Sequence, residues 1–321
     1  MEGVGVKALA RHRYGGPEVL RVEEVERPAL EADRALVRVR AASLNKVDLH
    51  TLHGRPLPTR GRALLRPRDR LLGTDFAGVV EAVGAELAGF APGDEVIGAR
   101  SGALAEYVCT KTIVRKPAGA SFEEAATLPV AGLTALQGLR DHGRLRPGER
   151  VLVNGGSGGV GTLAIQIAKA LGGHVTAVCS TRNLEQARQL GADEAVDYTR
   201  EDVTRGGARF DLILDVAGGH SWRSLRRILS PHGRLVVVGA HGSRFLLPHI
   251  AALWLASRAG RRPAAFFITK LRLPDLEFLA ELLADGRLTP RIDRTYELAD
   301  AAEAMRAFAE GHVRGKLVVT I

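Results

Sequence analysis

Cysteine is nearly absent from this chain, with only Cys109 and Cys179 among 321 residues. Two thiols are too few for a disulfide framework or a cysteine-rich zinc site, and they fit a reduced, intracellular setting. Long apolar runs are missing too. The clean stretch IAALWLA at 250–256 is far short of a membrane span, and the start, MEGVGVKALARH, lacks the charged-then-apolar order of a secretory signal. A soluble, cytoplasmic protein without a membrane association is therefore expected. There is no zinc-finger spacing, aromatic RNA-binding signature, heptad or internal repeat, which counts against a dedicated nucleic-acid binder. Acidic residues are outnumbered, 36 against 45 lysines and arginines. The resulting charge of +9 points to some anionic partner without choosing one. Part of the excess is local. RPLPTRGRALLRPRDR, at 55–70, holds six arginines against one aspartate, either a solvated surface loop or a rim that attracts anionic ligands.

What is present is apolar material for a large core, 45% of the chain, at a length where single cores stop growing and two domains are expected. Residues 6 to about 110 read as strands and turns: RALVRVR alternates, and GVVEAVG, DEVIGA and ALAEYVCT follow between Gly, Pro and Asp punctuation. At Ser121 the texture changes. Ser121 with Glu124 forms a capping box that opens a helical stretch expected to run to Gly143. From Val151 a short strand feeds a glycine-rich loop. Val160, Leu163, Ala164, Ile167, Ala168 and Leu171 then keep helical spacing until Gly172 and Gly173 stop it. VTAVC, EAVDY, DLILDV and RLVVVG continue as short β-branched runs with helices or loops between them, the pattern of a parallel sheet with crossover helices.

Gly156, Gly158 and Gly161 make a G-x-G-x-x-G pattern. Following a strand and opening a helix, it predicts backbone amides at a positive helix end cradling the pyrophosphate of a dinucleotide. About 20 residues on, an NAD-specific site places an acid against the ribose 2′-hydroxyl. Here the chain reads Cys179-Ser180-Thr181-Arg182-Asn183, with no acid to repel a 2′-phosphate and with Ser180 and Arg182 able to bind one. The expected cofactor is NADPH, against a reading in which Arg182 only caps a surface turn.

The segments RYGGPEVLRVEEV, AASLNKVD, LLGTDFAGVVEAVG, PGDEV, AEYV, LPVAGLTALQGL, NGGSGGVG, AVCSTRN, LGADEAVDY and GHVRGKLVVTI span essentially the whole chain. In this order they resemble the medium-chain dehydrogenase/reductase superfamily, and within it the zinc-free quinone oxidoreductase group. The resemblance implies an α/β fold: a GroES-like β-rich catalytic domain at 1–117, a Rossmann doubly wound parallel-sheet domain at 118–285, and a C-terminal segment, 286–321, that returns to the first. Where zinc-dependent members hold metal, this chain has Asn45, Gly73-Thr74-Asp75 and the VAGLT segment, and the four-cysteine lobe is missing, so no metal is expected. His50 and His53 could share a face of a turn, but two imidazoles without a third ligand read as surface histidines.

By position, the resemblance places Asn45 and His50 at the catalytic site. His50 falls where several members carry a tyrosine, and it is either a proton donor or a pocket wall. It places Asn45, Thr134, Ser157, Gly158, Gly159, Val160, Ser180, Arg182, Tyr198, Gly239 and Ala240 against the cofactor, although Tyr198 also reads as the end of a buried strand. Ser243 to Leu273 departs most from the family pattern and is expected to line a substrate mouth or a subunit contact. The expected activity is hydride transfer from NADPH to a quinone or an α,β-unsaturated carbonyl, in a homodimer. An NADP-dependent alcohol dehydrogenase or aldehyde reductase, and a noncatalytic nucleotide- or RNA-binding protein of the same fold, are the competing readings.

Overall fold

A computed structural model describes residues 5–55, 63, 66–238 and 264–321. Gly239, Ala240, most of the arginine-rich stretch and residues 243–263 lie outside the described residues. The chain divides into two compact units. One comprises Met1–Ala131, Leu271–Gly286 and Pro290–Ile321, and the other Gly132–Lys270 with Arg287–Thr289.

The first unit opens with a hairpin of β1 (Gly5–Arg11) and β2 (Leu20–Glu26). Its sheet is built on β3 (Ala35–Ser43) and β4 (Asp75–Val83), which pair antiparallel. In β3 only Arg38 and Arg40 are exposed, so both ends of the strand are buried and the alternation shows only in its middle. Gly78 lies in β4 where a Cβ would stand 2.2 Å from the Arg38 carbonyl oxygen, so the strands can approach there only with glycine. The sheet continues through β5 (Glu95–Ala99) to β7 (Ile113–Arg115), while β6 (Tyr107–Thr110) pairs with β3. Between β3 and β4 runs α1 (Lys46–His53), started by Asn45 and stopped by Gly54 in the left-handed region at φ 58°.

The capping box at Ser121 is present, with the Glu124 amide donating to Ser121 Oγ and the Ser121 amide to the Glu124 carboxylate. The expected continuous helix is not. It is divided into α2 (Phe122–Ala126), α3 (Pro129–Leu136) and a wide turn over Gln137–His142, in which the Gly143 amide reaches the Gly138 carbonyl. Pro129 is the reason for the break: it lacks an N–H and drives the preceding residue out of helical conformation. Because α2 packs on β3 and β4, the helical texture beginning at Ser121 groups with the strand unit as far as Ala131.

The second unit carries a six-stranded sheet in the order β10, β9, β8, β11, β12, β13, parallel throughout. The strands are β8 (Arg150–Asn154), β9 (His174–Cys179), β10 (Glu194–Asp197), β11 (Phe210–Asp215), β12 (Leu229–Val237) and β13 (Ala264–Phe266). In chain order this is 3-2-1-4-5-6, the doubly wound arrangement, with its reversal between β8 and β11. Its helices include α4 (Gly159–Ala170), α5 (Leu184–Gln189) and α6 (Trp222–Ile228).

The remaining elements return to the first unit. Here α7 (Leu273–Ala284) packs on β7. Next, β14 (Ile292–Glu297) and β15 (Lys316–Thr320) pair in parallel around α8 (Ala301–Glu310), and β15 lies antiparallel on β3, setting Val318 opposite Ser43. Leu9, Leu44, Leu52, Leu104, Met305 and Leu317 share one buried core, so the last strand completes the interior of the first unit.

Candidate active site

Strand β3 ends at Ser43 and the chain turns at Asn45 into α1, so the polar ends of β3, β4 and β15 meet at the helix N-terminus. A buried polar cluster fills that junction. Asp48 accepts the Asn45 amide at 2.7 Å and the Thr74 hydroxyl at 2.8 Å. Asp75 accepts Asn45 Nδ2 at 2.8 Å, the Ser43 hydroxyl at 3.3 Å and the Val130 amide at 3.1 Å. Lys316, from the far end of the chain, donates to Asn45 Oδ1 at 2.6 Å and to the Leu44 carbonyl at 2.9 Å, and stands 3.8 Å from Asp75.

Two carboxylates thus share one ammonium in a dry interior. Burial pushes Asp75 up to about 7 and Asp48 up to about 6, while the Lys316 ammonium, the Asn45 amide and the Thr74 hydroxyl pull the other way. Burial likewise draws Lys316 below the ordinary lysine range, against the attraction of Asp75 and Asp48. Both hydrogens of the Asn45 carboxamide are engaged inside this cluster, since Nδ2 also donates to the Ser43 carbonyl. In this unit Asn45 therefore anchors the start of α1.

His50 sits in the last turn of the same helix, exposed at its surface. Loss of water around the ring, aided by the charges of Lys46 and His53, holds its imidazole below the ordinary range, so at neutral pH it is uncharged. Among the described residues no group of three or more His, Cys, Asp or Glu side chains could hold a metal ion.

In the second unit the loop after β8 is the candidate phosphate cradle. Gly155 takes φ 95°, one residue before the first glycine of the G-x-G-x-x-G pattern. A Cβ on Gly161 would stand 2.0 Å from the Gly155 carbonyl oxygen, so this glycine lets helix and loop pack closely. A Cβ on Gly158 would meet nothing within 4 Å. The backbone there faces open space at the N-terminus of α4, where the first amides have no helical acceptor. Ser157, Gly158, Gly159 and Val160 are together at this end and partly accessible, where their amides could hold a pyrophosphate. Beside them Asn154 and the Gly218 amide both donate to Asp215, tying the ends of β8 and β11.

Ser180 and Arg182 follow β9 and Tyr198 follows β10, joined through the Tyr198 amide on the Cys179 carbonyl at 3.1 Å. Arg182 and Tyr198 are exposed, Tyr198 at 62%, so the reading of Tyr198 as the end of a buried strand does not hold. Asp197, which sequence reasoning missed, ends β10 opposite Cys179. Its carboxylate is held below the usual range by the hydroxyl of Thr181 at 2.5 Å, with Thr199 adding an amide and a hydroxyl. The acid is thus present near the strand ends, but its oxygens are taken. Thr134 is buried in α3 and meets the Thr269 hydroxyl at 2.7 Å. One turn on, Gln137 exchanges two hydrogen bonds with the Lys270 backbone.

The same organisation is found in known proteins. Residues 31–137 match the family model of the alcohol dehydrogenase GroES-like domain, and residues 190–319 match that of zinc-binding dehydrogenases. The mitochondrial NAD(P)H oxidoreductase RTN4IP1 of Mus musculus is 33% identical over 96% of this chain and 87% of its own. The chain belongs to the medium-chain dehydrogenase/reductase superfamily. Within that family it falls in the quinone oxidoreductase-like group. The structure of the quinone oxidoreductase from Coxiella burnetii superposes with a TM-score of 0.87 at 31% identity, covering 99% of this chain and 100% of that one. The trans-enoyl reductase pgmF of Aspergillus terreus is 35% identical over 91% of this chain and 87% of its own. The protein is therefore an oxidoreductase of a family that uses a nicotinamide cofactor, with a GroES-like domain and a Rossmann-type sheet. No helix among the described residues is long and apolar enough to cross a membrane.

Proposed function

We propose that this oxidoreductase is an NADPH-dependent, metal-independent reductase of quinones or α,β-unsaturated carbonyl compounds, acting as a homodimer in the cytoplasm. The observation that carries the reading is the cluster at the start of α1. By the family resemblance Asn45 and Thr74 fall at positions where zinc-dependent members place metal ligands, and the Lys316 ammonium lies between Asn45 Oδ1 and Asp75, where its charge opposes a second cation. Without a Lewis acid to polarise an isolated carbonyl, the acceptor itself must spread the incoming charge, as a quinone or an enone does.

The cofactor supplies a hydride. The chain contributes the cradle at Ser157–Val160, the Ser180 and Arg182 pair for a 2′-phosphate, and His50 as a neutral N–H donor near the proton that completes reduction. Thr134 is assigned to the nicotinamide end, and Asn45 holds α1 in place. The names of relatives, one a quinone oxidoreductase and one a trans-enoyl reductase, support both acceptor classes.

The test is NADPH oxidation against 1,4-quinones, enones and simple aldehydes, with product analysis and elemental analysis of the active protein. Turnover of conjugated acceptors, unaffected by chelators and with far less than one zinc per chain, is expected. Preferential turnover of unconjugated aldehydes, or stoichiometric zinc whose removal abolishes activity, refutes the reading. Sedimentation equilibrium should give twice the chain mass of 34.3 kDa.

A further inference from the structure

Two carboxamides in the second unit are buried without being satisfied. Asn183 and Gln186 are each 4% exposed, and Asn183 Oδ1 and both polar atoms of Gln186 have no hydrogen-bond partner. An unmatched buried polar group costs about 1–3 kcal/mol, and leucine would fill the same volume without that cost, so packing alone does not account for them.

Asn183 has one contact that does. It closes the short turn Thr181–Asn183 after β9, and its Nδ2 donates to Ser180 Oγ at 3.0 Å. A serine hydroxyl has one hydrogen and two lone pairs. With a lone pair held by Asn183, the hydrogen must point elsewhere. Neighbouring Thr181 differs, because its hydroxyl donates to Asp197 at 2.5 Å and its hydrogen is spent. Thr199 also donates its hydroxyl to Asp197. Among these three hydroxyls at the ends of β9 and β10, only that of Ser180 keeps a hydrogen not given to Asp197.

A ribose 2′-hydroxyl can donate or accept and is indifferent to that polarity. A 2′-phosphate, dianionic or nearly so at neutral pH, only accepts. We infer that Asn183 is a positioning residue for cofactor choice: by occupying the Ser180 oxygen it turns the Ser180 hydroxyl into a donor for the 2′-phosphate of NADPH. The inference rests on the NADPH reading above and adds to it a residue that does not touch the cofactor.

The experiment is calorimetric titration of the full chain with NADPH and with NADH, for wild type, Asn183→Leu, Asn183→Asp and Gln186→Leu, together with Tm. Asn183→Leu frees the Ser180 hydroxyl to rotate and should raise the NADPH Kd roughly three- to tenfold, leaving the NADH Kd within about twofold. Asn183→Asp keeps the shape but makes the side chain an acceptor that captures the Ser180 hydrogen. It should weaken NADPH further, and it serves if the leucine variant does not fold. Gln186→Leu removes an unsatisfied amide in α5 that is not bonded to Ser180, so it should raise Tm and leave the ratio of the two Kd values unchanged. Equal weakening of both nucleotides by the Asn183 variants, no change in either, or the same shift in Gln186→Leu overturns the inference while leaving a wild-type preference for NADPH standing. A wild type that binds both nucleotides equally refutes the NADPH reading itself, and the inference falls with it.

Discussion

At the scale of single residues, the two clusters differ in how much charge they can tolerate. Arg182 is exposed, so its interaction with a phosphate would be made in high dielectric. Its removal should therefore cost at most the lower end of the roughly 1.5–3 kcal/mol typical of charge-assisted hydrogen bonds and spare NADH. Titration of Arg182→Ala with both nucleotides checks this, and equal losses would remove Arg182 from cofactor choice. Lys316 is buried between acceptors, so Lys316→Met leaves Asp75 without its ammonium. Breaking such a pair typically costs about 3–5 kcal/mol. Asp75 can escape part of that by keeping its proton, since its carboxyl is already pushed up to about 7. The loss seen by urea unfolding should therefore be larger at pH 8 than at pH 5, and a loss independent of pH would show that the pair is not ionised. His50→Phe removes a donor that is neutral at pH 7. It should lower turnover of quinones only in part, because their reduced form takes its proton from water, and a general acid contributes at most about 10²- to 10⁴-fold. Any pH dependence it removes should lie below the ordinary imidazole range, as the lowered affinity of His50 for a proton requires.

At the scale of elements, the loop between β8 and α4 separates folding from binding. Gly161→Ala drives a Cβ into the Gly155 carbonyl and should destabilise by about 1–3 kcal/mol. Gly158→Ala meets no atom, so stability should change by at most about 1 kcal/mol, yet the new methyl stands at the amide end of α4, and affinity for either nucleotide should fall about tenfold. Thermal melts with nucleotide titrations distinguish the two, and unchanged affinity in Gly158→Ala would mean that phosphate does not approach there. This loop was legible because its pattern is local: glycine spacing, a preceding apolar strand and helical spacing after it lie within about 20 residues. The capping box at Ser121 was legible for the same reason, but helical periodicity ran through Pro129 and hid the break that the proline imposes. Lys316 was not legible. In GKLVVTI it reads as the edge of a strand, and its meaning comes from an acceptor 271 residues earlier, which only the register of β15 on β3 brings within reach. One local signal did exist, since Gly315 at φ 99° stands so close to the Arg291 carbonyl that no side chain fits, which marks the turn delivering Lys316 inward.

For the whole molecule, stability against pH sums groups that oppose one another. Asp33, Asp94, Asp193 and Asp202 are held below the usual carboxylate range by hydrogen bonds and nearby cations, so their contribution is present above the unfolded range near 4 and lost on acidification. These groups are largely exposed, and screening keeps each contribution small. Asp48 and Asp75 work in the other direction. Their folded values, about 6 and about 7, lie above the ordinary 3.8, so the folded chain holds protons that the unfolded chain has released. Their contribution is complete below about pH 4 and is lost as pH rises through about 6 and about 7. The buried pair outweighs the exposed set between those limits, because each tenfold gain in proton affinity on folding is worth about 1.4 kcal/mol and neither carboxyl is screened by water. Maximum stability should therefore fall near pH 4, with unfolding free energy declining from there toward pH 7. Asp48→Asn keeps an oxygen to accept the Asn45 amide but removes one of the two ionisations, so the decline should become roughly half as steep. Urea unfolding of both proteins from pH 4.5 to 8 measures the two slopes. A wild-type stability that rises from pH 5 to 7.5 would mean that Lys316 and the surrounding donors outweigh the burial of both carboxyls, leaving Asp48 and Asp75 ionised throughout.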